Sequence, residues 1–446
     1  VEDVLHWSPE AIEQLQAERL QRMLALCAQG HPYYRRKWAE AGVDIAAIRS
    51  IGDLQRLPLT PKQDLMAEPE AFRLHLPDLP LHERVLWEVM YTTGSTGDPT
   101  PIYNTTHDYR AYLLQAKRVA AISDLRESDH IANLFPLTAA PMGAYLRAAT
   151  STYAAGASIF AALPGAPIGT IDVNRSLDEA VGLIERHRAT VLWGVTSFVR
   201  RVLLRAIERN ADFRSVRMCA VTGEASTPAG REELRRALRT LGAAGTKILD
   251  RYGSTELGAL AQCREEDDWH NPIPDFQAHE VVDRQTGQCV PDGERGELAL
   301  TYLDRRGTVL IRFLVGDVVS LARTPCPHCG RTGDRVVGPV VRTKDLVKVK
   351  GMLINPTVLL ETLKRIDSVE EFQVVVRRER PDEPLSMDEM VVRVATRSAD
   401  RDALARTIVA RVQEAVQIRP RVEFAAAQHI YDPSVQTKAV RFVDAR

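Results

Sequence analysis

Apolar residues fall at helical spacing through PEAIEQLQAERLQRMLALCAQG, which follows a Ser8-Pro9 start and runs to Gly30, so a helix is predicted there. Residues 8 to 75 read as helices with short breaks. LPLTPKQDLMAEP gives a second start, with Thr60 as the expected N-cap and Pro61 in the first turn. From about 85 to 300 the pattern changes. The short β-branched runs HIANLFPL, ASIFAAL, ATVLWGV, VRMCAVTG and TKILDRYG alternate with amphipathic stretches such as SLDEAVGLIERHR and TPAGREELRRALRTLG. That alternation predicts stacked α/β layers with sites at strand ends. ERGELALTYLDRRGTVLIRFLVGDVVSL, over 294–322, predicts hairpin-like strands around Arg305-Arg306-Gly307. After about 343 the chain reads as a small βαβ-like unit. It runs from DLVKVKGMLINP through helix TVLLETLKRI, strands EEFQVVVRR and EMVVRVAT, and helix RDALARTIVARVQEAV, with RPDEPLSMDE as a polar hairpin loop.

At 446 residues the chain exceeds one compact domain, so two or more are expected. Hydrophobic content of 45%, charged content of 26% and a net charge of -1 fit a globular enzyme and exclude a general binder of nucleic acid or acidic membrane. No run of about 18 apolar residues predicts a transmembrane helix. The amphipathic start lacks a signal-peptide pattern, and six cysteines are too sparse for a disulfide scaffold, so a cytoplasmic location is expected.

VMYTTGSTGDPTPI, residues 89–102, crowds hydroxyls and glycines into one turn between the strand RVLWEVMY and a helix around Tyr109 to Lys117. A Walker loop needs G-x-x-x-x-G-K-[ST]; here Asp98 and Pro99 follow the glycine, so that motif is absent. What remains is a loop of hydroxyls and backbone N–H groups able to wrap phosphate oxygens. Taken alone, an ordinary serine/threonine turn reads equally well. It is followed in order by VTGEAST (221–227), DRYGSTELG (250–258), IRFLVGDVVSL (311–321), VRTKDLVKVKG (341–351) and QTKAVRFVD (436–444). This ordered set resembles the adenylate-forming (acyl-activating) superfamily and, within it, the phenylacetate–coenzyme A ligase family. The resemblance covers nearly the whole chain, including LQRMLALCAQGHPYYRRKWAEAGVD.

The resemblance implies the α/β adenylate-forming enzyme fold: a large multi-layer α/β N-terminal domain, 1–343, and a small mobile α+β C-terminal domain, 344–446, carrying a catalytic lysine. It implies that ATP and Mg²⁺ activate an aryl carboxylic acid, phenylacetate- or benzoate-like, through an acyl-AMP, and that the acyl group then passes to coenzyme A. The alternative is an enzyme of the same fold loading a carrier-protein phosphopantetheine or an amine. Homodimers are common in the family; neither nucleic acid nor membrane is an expected partner.

Residue by residue, the resemblance assigns Thr92, Thr93, Gly94, Ser95, Thr96 and Gly97 to the β,γ-phosphates. Gly223, Glu224 and Ala225 line the junction of nucleotide and acyl group; Arg251, Tyr252, Gly253 and Ser254 belong to the nucleotide site, with Tyr252 against adenine. Thr255 approaches the α-phosphate and Glu256 holds Mg²⁺, a hard cation suited to carboxylate oxygen. Asp317 takes the ribose hydroxyls, and Arg342 meets ribose or phosphate. Lys344 is the hinge, with Lys348, Lys350 and Gly351 facing the thioester-forming site, although an exposed basic strand is the plain reading of each. Lys438 is the catalytic lysine, a point charge on a long stem suited to two anions meeting in a transition state. The family has glycine before it where this chain has Thr437, which stiffens the loop. The acyl pocket corresponds to Phe135, Pro136, Ala139, Ala140, Met142, Gly143, Trp193, Gly194 and Val195; core packing is the rival reading of Trp193.

A second constellation lies beside these motifs. CPHCG (326–330) is a C-x-x-C knuckle, and Cys263 precedes His270 by seven residues. Cys263, His270, Cys326 and Cys329 make a Cys₃His set for structural zinc, such as some family members carry; His328 would be cramped as a ligand. A redox pair and free thiols are the alternatives, and Pro327 and Gly330 favour a knuckle turn. Cys27, Cys219 and Cys289 read as core or loop cysteines. A zinc-bearing binding module is a third function class, against which the five ordered motifs and the neutral charge balance speak.

Overall fold

The computed structural model describes residues 4–92, 99–135, 143–162, 175–224, 226–342, 347–349, 352–354, 356–380, 388–416, 418–431 and 439–445. The predicted first helix spans Pro9–Gly30, and Ser8 caps it by accepting from Ala11 N at 3.2 Å. The predicted cap at Thr60 is not formed. Thr60 bridges to Phe313, and its hydroxyl donates instead to Ile311 O at 2.7 Å, so Pro61 takes the cap position of helix Lys62–Ala67. A long-range carbonyl outcompetes the local cap.

The strands are β1 (Leu86–Tyr91), β2 (Pro101–Thr105), β3 (His130–Asn133), β4 (Ser158–Ala161), β5 (Val191–Val195), β6 (Met218–Thr222), β7 (Lys247–Ser254), β8 (Gly258–Ala261), β9 (Trp269–His270) and β10 (Gln277–Val282). They continue with β11 (Gly296–Tyr302), β12 (Phe313–Ala322), β13 (Arg335–Arg342), β14 (Val347–Val349), β15 (Met352–Ile354), β16 (Glu371–Arg378), β17 (Asp388–Ala395), β18 (Arg421–Phe424) and β19 (Phe442–Asp444). Eleven of them form one sheet, ordered β10-β11-β12-β13-β9-β8-β7-β6-β5-β3-β4. From β4 to β7 its pairs are parallel; from β7 to β10 they are antiparallel.

The parallel half is covered on both faces, so all five residues of β5 are buried. One face packs on helices Leu177–Arg186, Thr196–Glu208 and Pro228–Thr240 through Ala180, Val199, Leu203 and Leu234. The other carries Phe135, Trp193, Ala220 and Leu249 against helix Gly143–Ala154. The antiparallel half packs on the N-terminal helices through Leu24, Tyr34, Phe72, Leu300 and Phe313. The hairpin predicted across 294–322 is the β11–β12 pair.

A second core, built from Leu359, Leu363, Phe372, Val392, Ile408 and Val412, belongs to a separate C-terminal sheet ordered β18-β17-β16-β19. Arg200 of the large unit pairs with Glu233 at 2.6 Å and donates to Glu370 O at 3.2 Å beside this sheet. Among the described residues no helix is long and apolar enough to cross a membrane.

His31 gives the fold a pH dependence. It is fully buried, its Nδ1 accepts from Tyr34 N at 3.2 Å, and Nε2–H donates to Phe72 O at 3.0 Å. Burial drives its pKa down to about 3. Below about pH 6.5 the unfolded chain binds a proton that the folded one refuses, so stability is lost as the pH falls, by about 1.4 kcal/mol per pH unit until about pH 3. Urea midpoints measured from pH 7.5 to 5 should fall, and His31→Asn, which keeps a capping group, should flatten that slope.

Candidate active site

In the sequence, β1 precedes the hydroxyl loop and β2 follows it. β1 and β2 pair antiparallel to Tyr91–Pro101; beyond them Thr92 N donates to Thr100 O and Thr100 N to Thr92 Oγ1, both at 3.0 Å. The helix expected around Tyr109–Lys117 runs over Thr106–Ile122. β2, between loop and helix, was not expected from the sequence.

Across the sheet, β7 ends at the tight turn into β8. Gly253 is obligatory in this turn, because a Cβ there would lie 2.0 Å from Gly258 O. The turn buries Glu256 at 2% exposure, with Lys62 Nζ 2.7 Å from its carboxylate, while Tyr302 Oη donates to the Glu256 carbonyl. Burial alone would raise the Glu256 carboxyl; the ammonium and local donors outweigh it and hold it below the usual range. Tyr252 Oη donates to Asp317 Oδ2 at 2.7 Å, and Asp317 stands opposite Arg342 in the β12–β13 register. Glu224, just past β6, accepts from Ser197 N at 2.9 Å and from its hydroxyl at 2.8 Å; Gly223 takes a φ of 80°. Thr255 lies in the same turn as Glu256, and the Ser254 hydroxyl closes it by accepting from Leu257 N at 3.1 Å. Ser197, Glu224 and Glu256 follow the carboxyl ends of β5, β6 and β7, where open α/β sheets bind ligands. A carboxylate held ionised in a dry site beside hydroxyls suits Mg²⁺, which commonly takes one or two protein carboxylates and completes its shell with phosphates and water.

The sequence matches the AMP-binding enzyme family model over residues 14–301 and the AMP-binding enzyme C-terminal domain model over 351–446. The chain belongs to the AMP-binding enzyme family. It is 28% identical to a phenylacetate–coenzyme A ligase of Thermus thermophilus over 83% of this chain and 79% of that one. It is 26% identical to the Escherichia coli protein of the same name over 93% and 89%. A 2-hydroxyisobutyryl-CoA ligase in the postadenylation state, bound to 2-HIB-AMP, superposes with a TM-score of 0.80 at 23% identity, covering 100% of this chain and 94% of that one. The family fold and its separate C-terminal unit agree with the layered α/β architecture expected from the sequence.

Several residues expected in the family's site, namely Thr93, Gly94, Ser95, Thr96, Gly97, Pro136, Ala139, Ala140, Met142, Ala225, Lys344, Lys350, Gly351 and Lys438, lie outside the described residues. Lys348 lies in β14. Of the expected acyl-pocket residues, Phe135, Trp193 and Val195 share one buried cluster. Gly194 faces the other way, where a Cβ would meet Leu134 at 2.9 Å; Gly143 opens a helix beside Met90. Sequence reading overlooked Lys62, Ser197 and Tyr302. In sequence Lys62 reads only as part of a helix start, and no local signal links it to Glu256.

The four expected metal ligands come together. Cys263, His270, Cys326 and Cys329 have ligand atoms within 4.8 Å of one another. Cys263 Sγ lies 3.9 Å from Cys326 Sγ, and Cys329 Sγ 3.6 Å from His270 Nε2. The edges of a tetrahedron around zinc are about 3.8 Å for S–S and about 3.6 Å for S–N. β9 fixes His270 in the sheet, and Cys326 and Cys329 sit on a turn closed by Gly330 N donating to Cys326 O at 2.9 Å, with Gly330 at φ 69°. His328 is exposed and outside the cluster.

Proposed function

We propose that the protein is an AMP-forming acid–CoA ligase whose acid carries an aromatic ring. It joins a carboxylate to the α-phosphate of ATP with release of pyrophosphate, then transfers the acyl group to coenzyme A. The observation that carries this reading is the grouping of buried Glu256 with the Tyr252–Asp317 pair at the end of β7. In it, Thr92, Thr93, Gly94, Ser95, Thr96 and Gly97 hold the terminal phosphates and Glu256 takes Mg²⁺. Asp317 and Arg342 hold the ribose, while Thr255 and Lys438 act at the α-phosphate. Bound Mg²⁺ neutralises phosphate charge. Phe135 and Trp193 provide flat apolar walls beside the acid. The chain divides near residue 343, and the C-terminal unit turns there, about Lys344, between the half-reactions, a gating motion of a common kind. Zinc at Cys263, His270, Cys326 and Cys329 ties the β8–β9 connection to the β12–β13 connection.

The test is pyrophosphate release from Mg·ATP across aryl, aliphatic and amino acids, with and without coenzyme A. Release that depends on an aryl acid and rises with coenzyme A supports the proposal. Release indifferent to coenzyme A favours a carrier protein or an amine as acceptor, and a silent panel counts against the ligase. Glu256→Gln should lower adenylation by about 10²-fold or more and raise the Mg²⁺ concentration needed for half-maximal rate.

A further inference from the structure

Five arginines are buried among the described residues: Arg118, Arg251, Arg305, Arg312 and Arg335. Four have acceptors. Arg118 pairs with Asp275 at 2.6 Å, Arg312 with Glu280 at 3.2 Å and Arg335 with Asp268 at 3.3 Å, and Arg305 donates to the Asn104 side-chain oxygen. Arg251 is the exception. At 4% exposure its Nε and Nη2 have no hydrogen-bond partner among the described residues, and its guanidinium stacks 3.8 Å from the centre of the Trp193 ring. Burial pulls its pKa down to about 9, with no carboxylate among the described residues opposing that pull. A ring face offsets only part of the cost of taking a cation out of water, so an arginine held this way calls for an anion from outside the chain.

Its direction indicates which anion. Side chains alternate along β7. Tyr252 reaches Asp317 on the nucleotide side, and Arg251 reaches Trp193, in the cluster that also holds Phe135. The free edge is equally informative. Elsewhere in this protein the Nε–Nη2 edge grips both oxygens of a carboxylate: Arg205 does so with Asp178 at 2.7 and 2.8 Å, and Arg217 does so with Asp129. Such side-on pairs are the strong, directional form of arginine recognition.

We infer that Arg251 is a specificity-determining residue that takes a second carboxylate on the acid, so that the substrate is an aromatic dicarboxylate activated at one of its two carboxyls. This rests on the acid-activating reading above and names its substrate class. An unsubstituted ring would leave the guanidinium buried and unpaired, the situation in which a polar site rejects an analogue most strongly.

The experiment compares benzoate and phenylacetate with phthalate, isophthalate, terephthalate and homophthalate, in the full-length wild type and in Arg251→Met. A dicarboxylate should exceed its monocarboxylate partner in kcat/KM by about 10²-fold or more in the wild type, and Arg251→Met should reverse that preference. The ligand-free variant should also melt higher, because an isolated buried charge is gone; a purely structural arginine would give the opposite shift. Wild-type preference for the unsubstituted acids overturns the inference. So does a rise in KM for ATP in the variant with acid preference unchanged, which would assign Arg251 to a phosphate. Turnover of any acid upholds the ligase reading independently of these outcomes. A wild type silent on every acid removes the ligase reading; melting temperatures with added dicarboxylate then decide Arg251, since a rise in the wild type alone supports its role and no rise overturns it.

Discussion

Lys438→Ala should cut acid-dependent pyrophosphate release by about 10³-fold while leaving thioester formation from a supplied acyl-adenylate within a fewfold of wild type. The reasoning is electrostatic. Carboxylate and α-phosphate are both anions, and adenylation brings them into bonding contact. A long-stemmed ammonium stabilises that approach and is not needed once the acyl phosphate has formed. A thousandfold loss corresponds to about 4 kcal/mol of transition-state stabilisation, within the range for removal of one such group. Single-turnover measurement of each half-reaction separates the two, and an equal fall in both would show that Lys438 has another role. Thr437 refines the prediction. Thr437→Gly places before the lysine the small residue that the resemblance puts there, and it should speed adenylation; an unchanged rate would show that Thr437 does not limit it.

The second large effect concerns the Cys₃His cluster. Wild type should bind about one equivalent of zinc by elemental analysis, and Cys326→Ser should lose it. Three of the ligands lie on connections of an already extensive sheet and the fourth, His270, in β9, so a bound metal would pin loops and would not nucleate the fold. A loss of roughly 3 kcal/mol is expected, lowering Tm by roughly 5 °C in a chain this long. A strong chelator should bring wild type to the melting point of the variant and leave the variant unmoved. Unchanged metal content in Cys326→Ser would remove zinc from the description. Without a cation, burial, Asp267 and the neighbouring cysteines push the Cys263 thiol above its ordinary range, so that thiol keeps a proton that metal binding must expel.

What the sequence reveals on its own depends on how local each signal is. β3, β5, β6 and β7, and helices Leu177–Arg186 and Pro228–Thr240, announce themselves by apolar period, because each buries a face that its own sequence specifies. β2 does not. Its inward positions include Asn104 and Thr105, satisfied by Glu88 and by the Asp108 carboxylate, so the alternation is polar and reads as a turn. Thr60 has the residue type of a cap yet answers to Ile311, far along the chain. The zinc ligands were legible because cysteine and histidine are scarce and their spacing is distinctive. Lys62 was not, since a lysine at a helix start is ordinary until Glu256 is placed beside it. Arg251 sits inside a motif associated with the nucleotide, and only strand alternation in three dimensions turns it toward Trp193.

β7 has a consequence for how such an enzyme diversifies. It is the seam at which the sheet changes from parallel to antiparallel, and its neighbouring residues project to opposite faces of the sheet. Arg251 faces the cluster around Trp193, and Tyr252 faces Asp317. On the reading proposed above, choice of cargo and supply of chemical energy would be encoded at adjacent codons yet separated by the thickness of one strand. On that reading, selection could rewrite position 251 without touching the grip on the nucleotide. A laboratory library confined to the residues of β5, β6 and β7 that share the Arg251 face should therefore yield altered acid preferences with KM for ATP held nearly constant, which gives re-engineering of this scaffold a separable control for each substrate.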